Sequence, residues 1–128
     1  MVFGFRKHIL IVEDETALAE GIEARLTVEG FKSSIARDGQ LGVDMARKEK
    51  PDLILLDIIM PRINGWDVCK ILKGDPKTKA IPIIMCTALT QIGDSEKAFL
   101  VGANDYVTKP YDMNNLVDKV KKFLGEKT

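Results

Sequence analysis

Four separated stretches of this 128-residue chain carry groups whose types suit one chemistry. Glu13, Asp14 and Glu15 follow the apolar run "HILIV"; Asp57 ends "LILLD"; Thr87 ends "PIIMCT"; Lys109 follows "DYVT". Carboxylates gathered in one crevice repel one another, so the set makes sense around a cation. Hard oxygen ligands with room for water suit Mg²⁺, with Mn²⁺ as the alternative, and Mg²⁺ commonly takes one or two carboxylates plus a phosphate. Asp57 would then be free to act as a nucleophile, since aspartyl phosphate is an established covalent chemistry. Lys109 would hold one phosphoryl oxygen and the Thr87 hydroxyl would donate to another. Neutralising charge on the transferring group is most of what phosphoryl transfer requires. This role also explains an oddity of "PDLILLDIIMP": a carboxylate in a greasy run is expensive unless it finds a partner or shifts its pKa.

These residues need a frame that brings them together. "HILIV", "FKSSIA", "DLILLD", "PIIMCT" and "DYVT" read as strands, and helical patterns separate them. Leu18, Ile22 and Leu26 recur at i, i+4 and i+8 in a helix from about Thr16 to Glu29, with Gly30 as its stop. Asp38-Gly39 opens a second helix carrying Leu41 and Met45 on one face. Val68, Cys69 and Leu72 mark a third helix, which "KGDP" ends. A fourth runs from about Asp94 to Val101. The fifth carries an apolar stripe of Leu116, Val117, Val120, Phe123 and Leu124. Five βα units predict an α/β fold with a doubly wound parallel sheet. The near-continuous apolar strands one, three and four fit a sheet covered on both faces. In the flavodoxin-like order 2-1-3-4-5, ligands bind beyond the carboxyl ends of the strands, at the switch point between strands one and three. That order, assumed here, sets Glu13 and Asp14 beside Asp57, with Thr87 and Lys109 on the next two strands.

The bulk properties narrow the field. Apolar residues are 45% and charged residues 30%, with 19 basic against 19 acidic side chains. A neutral balance gives no electrostatic case for nucleic acid or a membrane surface as main partner. Cys69 and Cys86 lack paired metal-type spacing and read as free thiols in a reducing compartment. No run approaches the ~20 apolar residues of a membrane span, and the cytoplasm is the default location. The chain reads as a single domain over residues 1–128.

With these motifs in place, the sequence resembles the response-regulator receiver domains of two-component signalling, in particular the stand-alone, chemotaxis-regulator-like kind. The acidic pair looks like Glu13-Asp14, although aspartate is commoner at the first position. The phosphoacceptor matches Asp57, within a D-x-x-M-P-x-x-x-G pattern completed by Met60, Pro61 and Gly65. Thr87-Ala88 and Lys109-Pro110 match the remaining two motifs. The resemblance implies that Asp14 and Asp57 ligate Mg²⁺ directly, that Glu13 acts through water, and that the Ile59 backbone carbonyl is a further ligand. It implies a histidine kinase or histidine phosphotransfer protein as phosphoryl donor. It also implies a switch in which Thr87 moves toward the phosphate and Tyr106 turns inward. The face of helix four, strand five and helix five would then change its affinity for a downstream protein. Lys109-Pro110 would be a cis peptide, which an X-Pro bond permits. Such a module is a signalling phosphoacceptor rather than a turnover enzyme, acting as a monomer or weak dimer, with no direct nucleic-acid or membrane partner.

Plainer readings exist for each residue alone. "EDE" suits any helix N-terminus, Tyr106 suits packing, and Lys119, Lys121 and Lys122 suit a solvated helix face. His8 reads as a surface residue at the end away from the crevice, and Trp66 as a packing residue. A haloacid-dehalogenase-like phosphatase would want a second aspartate two residues past the nucleophile, where Ile59 stands. A flavin carrier would want a hydroxyl- and glycine-rich phosphate loop instead of "EDE". A receiver cut from a larger regulator or hybrid kinase is the remaining alternative. Ile59 and Leu89 should flank the crevice mouth. Neither can position or activate a water, so the phosphorylated form should hydrolyse slowly.

Overall fold

The computed structural model describes residues 6–87 and 94–125. Five strands alternate with five helices: β1 (His8–Val12), α1 (Thr16–Val28), β2 (Lys32–Ala36), α2 (Gly39–Glu49), β3 (Leu53–Asp57), α3 (Gly65–Lys73), β4 (Ile83–Thr87), α4 (Asp94–Leu100), β5 (Asp105–Thr108) and α5 (Met113–Leu124). The strands form one parallel sheet in the order β2-β1-β3-β4-β5. The expected fold and order are those observed. Among the described residues no helix is long and apolar enough to cross a membrane.

Strand alternation sorts the core into two layers. Leu10, Val12, Ile54, Leu56, Ile83 and Met85 face α2, α3 and α4. Ile9, Ile11, Leu53, Leu55, Ile84, Cys86 and Val107 face α1 and α5. Each central strand is thus apolar on both sides, which is why the runs are continuous. Helices α2, α3 and α5 start where a short polar side chain caps them. The Asp38 carboxylate accepts from the Leu41 amide at 2.8 Å, Asn64 from Asp67 at 3.0 Å, and Asp112 from Asn114 at 2.9 Å.

Three expectations need correction. Leu41 does not face the core: it is 41% exposed, and α2 buries Gly42, Val43 and Ala46 instead. A β-carbon on Gly42 would meet Val12 Cγ1 at 2.9 Å, so α2 sits too close to β1 for larger side chains there. Lys119 and Lys121 are not simply solvated; they pair with Asp105 and Glu29, each at 2.9 Å. His8 is half-buried and bonded to Ser34 and Glu49. Trp66 does pack on the α2–α4 core layer, with the Lys97 ammonium 4.9 Å from its ring centroid.

Candidate functional site

The sheet order makes β1 and β3 neighbours, and their register pairs Val12 with Leu56. The next residues along, Glu13 and Asp57, therefore emerge side by side at the carboxyl edge. Continuing the alternation of β1, β3 and β5 puts Glu13, Asp57 and Lys109 on the α1/α5 side. Lys109 spans the two carboxylates: its Nζ lies 3.3 Å from Glu13 Oε1 and 3.4 Å from Asp57 Oδ1. Glu13 Oε2 also accepts from the Glu15 amide at 3.1 Å. Both carboxylates are buried, at 1% and 3% exposure, whereas Asp14 is exposed.

One oxygen from each of Glu13, Asp14 and Asp57 falls within 4.8 Å of the other two. With a single ammonium among three carboxylates, the ionised site carries surplus negative charge. Its effect shows in the acid–base behaviour. Burial, with the Asp57 charge adding to it, pushes the Glu13 carboxyl up to about 7. Burial also raises Asp57 above the ordinary aspartate range, against the pull of Lys109. Burial alone would lower Lys109, but Asp57 and Glu13 outweigh it and hold the ammonium above its usual value. Lys109 compensates the charge at Asp57 Oδ1 from 3.4 Å, and among the described residues that buried oxygen has no hydrogen-bond partner. Such a donor set fits a hard divalent cation: it is all oxygen, over-negative, and holds an oxygen without a directed donor.

The loop after β3 frames the pocket. Ile58 turns into the core at 7% exposure, and its carbonyl accepts from the Gly65 amide at 2.8 Å. Gly65 packs so tightly against the Asp57 carbonyl that a β-carbon would collide with it, which is the reason for glycine in the motif. The Ile59 side chain, two residues past Asp57, is 70% exposed. The Lys109-Pro110 peptide is cis. Tyr106 is half-buried, edge-on to Phe99 with ring centroids 6.1 Å apart. Thr87 closes β4 with its backbone paired to Thr108; its side chain, and the whole of Leu89, lie outside the described residues.

The chain matches the response regulator receiver domain over residues 9–121. It belongs to that family. The receiver is 39% identical over 116 residues to the DNA-binding dual master transcriptional regulator RpaA of Synechocystis sp., covering 91% of this chain but 48% of that protein. It thus spans about half the length of that relative. A receiver domain of a signal transduction histidine kinase from Syntrophus aciditrophicus superposes with a TM-score of 0.87 at 35% identity, covering 93% of this chain and 90% of that one. A receiver domain of a sensor histidine kinase from Pseudomonas aeruginosa, solved with a magnesium ion in its active-site cleft, gives 0.86 at 30% identity, covering 95% and 100%. Receiver domains act with histidine kinases and downstream targets, and the receiver's acidic trio is of a kind that could hold a metal ion. One residue escaped the motif reading. Tyr111, two past Lys109, packs against the α1/α5 core layer with its hydroxyl buried.

Proposed function

We propose that this receiver accepts a phosphoryl group on Asp57 from a histidine kinase or histidine phosphotransfer protein. The observation that carries the proposal is the buried Asp57 carboxylate, held 3.4 Å from Lys109 and grouped with Glu13 and Asp14. An Asp57 oxygen attacks phosphorus of the donor phosphohistidine; the P–N bond breaks, the acyl phosphate forms, and the imidazole keeps the electron pair. Bound Mg²⁺, or Mn²⁺ in its place, would neutralise charge on the transferring group. Asp14, Asp57 and the Ile59 carbonyl would ligate it directly, and Glu13 would contribute through water. Lys109 would turn to one phosphoryl oxygen and the Thr87 hydroxyl would donate to another.

The phosphorylated state would draw Thr87 and then Tyr106 inward, re-shaping the face of α4, β5 and α5 for a downstream protein. A phosphoryl group can shift that equilibrium only by its differential affinity for the two states. The receiver is a phosphoacceptor rather than a turnover enzyme, and we place it in the cytoplasm. Its formal neutrality favours a protein over a nucleic acid as the direct partner. Incubation with acetyl phosphate and Mg²⁺, followed by intact mass, tests the reading. Wild type should gain one phosphoryl group and Asp57→Asn none; an unmodified wild type with Mg²⁺ bound would overturn it.

A further inference from the structure

Helices α4 and α5 meet on one aromatic ring. Tyr106 is half-buried on β5, the last strand of the sheet, and its ring packs at the margin of the α2–α4 core layer. Phe99 of α4 meets that ring edge-on, with centroids 6.1 Å apart, and is itself 51% exposed. Lys119 of α5 sets its ammonium 5.7 Å from the same ring's centroid. Both contacts are attractive: edge-to-face pairs favour this spacing, and a cation within about 6 Å of a centroid is drawn by the ring quadrupole.

The lysine is fixed from below. Its Nζ donates to Asp105 Oδ1 at 2.9 Å, and the same oxygen accepts from the Tyr106 amide at 2.8 Å. Asp105 therefore ties the ammonium to the backbone of the residue whose ring it attracts. The ion pair and the ring contact respond differently to a turn of the tyrosine. Side chains occupy discrete staggered wells, so turning the ring inward about Cα–Cβ exchanges one well for another. That step carries the ring away from Lys119 and Phe99 and leaves the Asp105–Lys119 pair in place. The ring contact is thus an interaction of one state only, and the ion pair is common to both.

We infer that Lys119 is a positioning residue for Tyr106: its ammonium, pinned by Asp105, holds the ring in its resting place and so sets how readily a phosphoryl group on Asp57 switches the face. This inference rests on the phosphoacceptor reading above. An interaction made in one state alone biases the equilibrium by its full strength. By linkage, whatever holds the ring at rest weakens the binding of the phosphoryl group by the same factor. The Lys119 side chain is 26% exposed, so its ring contact is partly screened and tunes the switch without locking it. Removing the contact is worth about two- to fivefold.

The test is a double-mutant cycle on the binding of beryllium trifluoride, a phosphoryl mimic, in Mg²⁺, read by calorimetry for wild type, Lys119→Met, Tyr106→Leu and the pair. Lys119→Arg serves as the variant that keeps the charge. Lys119→Met should bind the mimic about two- to fivefold more tightly than wild type, and Lys119→Arg should match wild type. In the Tyr106→Leu background the same Lys119→Met change should leave the affinity unchanged, because its partner ring is gone. A lysine acting only through Asp105 would give the same change in both backgrounds. The Tyr106 ring resonances, identified by their loss in Tyr106→Leu, supply a second readout. In Lys119→Met without the mimic they should lie nearer the positions that wild type reaches with it. Unchanged or weaker affinity in Lys119→Met, tighter binding by Lys119→Arg, an equal gain in the Tyr106→Leu background, or no such movement of the ring resonances would each overturn the assignment. Wild type that binds Mg²⁺ but not the mimic would bring down the phosphoacceptor reading and the lysine's role with it. A cycle without coupling in a wild type that does bind the mimic removes only the lysine's role.

Discussion

The two ends of β1 handle buried polarity in opposite ways. At its start, the His8 amide donates to Asp52 Oδ2 at 2.7 Å, and the Asp52 amide returns a bond to the His8 carbonyl at 2.7 Å. His8 Nε2 lies 2.9 Å from Ser34 Oγ and 3.2 Å from Glu49 Oε1, and Ser34 Oγ donates to the same Glu49 oxygen at 2.8 Å. Donors and acceptors there match. Just past its other end, Glu13 shares one lysine with Asp57, a third carboxylate stands within reach, and a buried oxygen lacks a hydrogen bond among the described residues. The first arrangement ties β1, β2 and α2 together. The second is poorly matched as a folding device, and such unmatched sites are where chemistry concentrates.

Substitutions and titrations can break this contrast. The largest effect is expected from Asp57→Asn. It should abolish phosphoryl uptake and, in EDTA, stabilise the fold by about 1–2 kcal/mol, since it removes a buried charge beside Glu13; chemical denaturation reads the second part. Next comes pH. Glu13 and Asp57 hold their protons more tightly folded than unfolded. Their contribution is therefore present at low pH and lost as pH rises from the ordinary carboxylate range through about 7. In EDTA the melting temperature should fall by about 5 °C across that window, and Mg²⁺ should restore it by binding only the folded state.

A smaller effect concerns the crevice mouth. Exposed Ile59 offers a water no polar handle, and Leu89 is equally apolar. Replacing them by asparagine and glutamate should shorten the phosphoryl lifetime about tenfold, within the range of general-base assistance. Timed phosphate release checks this. The smallest effect belongs to the matched end. Glu49→Gln should cost about 1 kcal/mol or less, as for a partly exposed pair, and leave phosphoryl uptake unchanged by intact mass.

Much of this was legible from residue patterns. Apolar runs of strand length separated by helical spacing predict the five βα units, and their carboxyl ends point to Glu13, Asp14, Asp57 and Lys109. What was hidden depends on distance rather than pattern. Leu41 has the spacing of a core residue, yet the close approach of α2 to Val12 favours Gly42 on the inner face. Ile58 follows the acceptor in a loop motif and still buries, because the chain doubles back through the Gly65 contact. The partners of His8 are distant in sequence: Ser34 and Glu49 reach it only once β2 and α2 are in place. Tyr111 belongs to no motif, and no spacing rule shows that its hydroxyl is buried without a hydrogen-bond partner among the described residues.

The most direct measurement is the position of the phosphoryl group. Treating the phosphorylated protein with borohydride reduces an acyl phosphate to the alcohol, so peptide mass locates the modified carboxylate. Homoserine at position 57, in samples phosphorylated with Mg²⁺ and absent from those with EDTA, is the predicted result. Reduction at Glu13 or Asp14, or labelling of Asp57 that ignores the metal, would contradict the account.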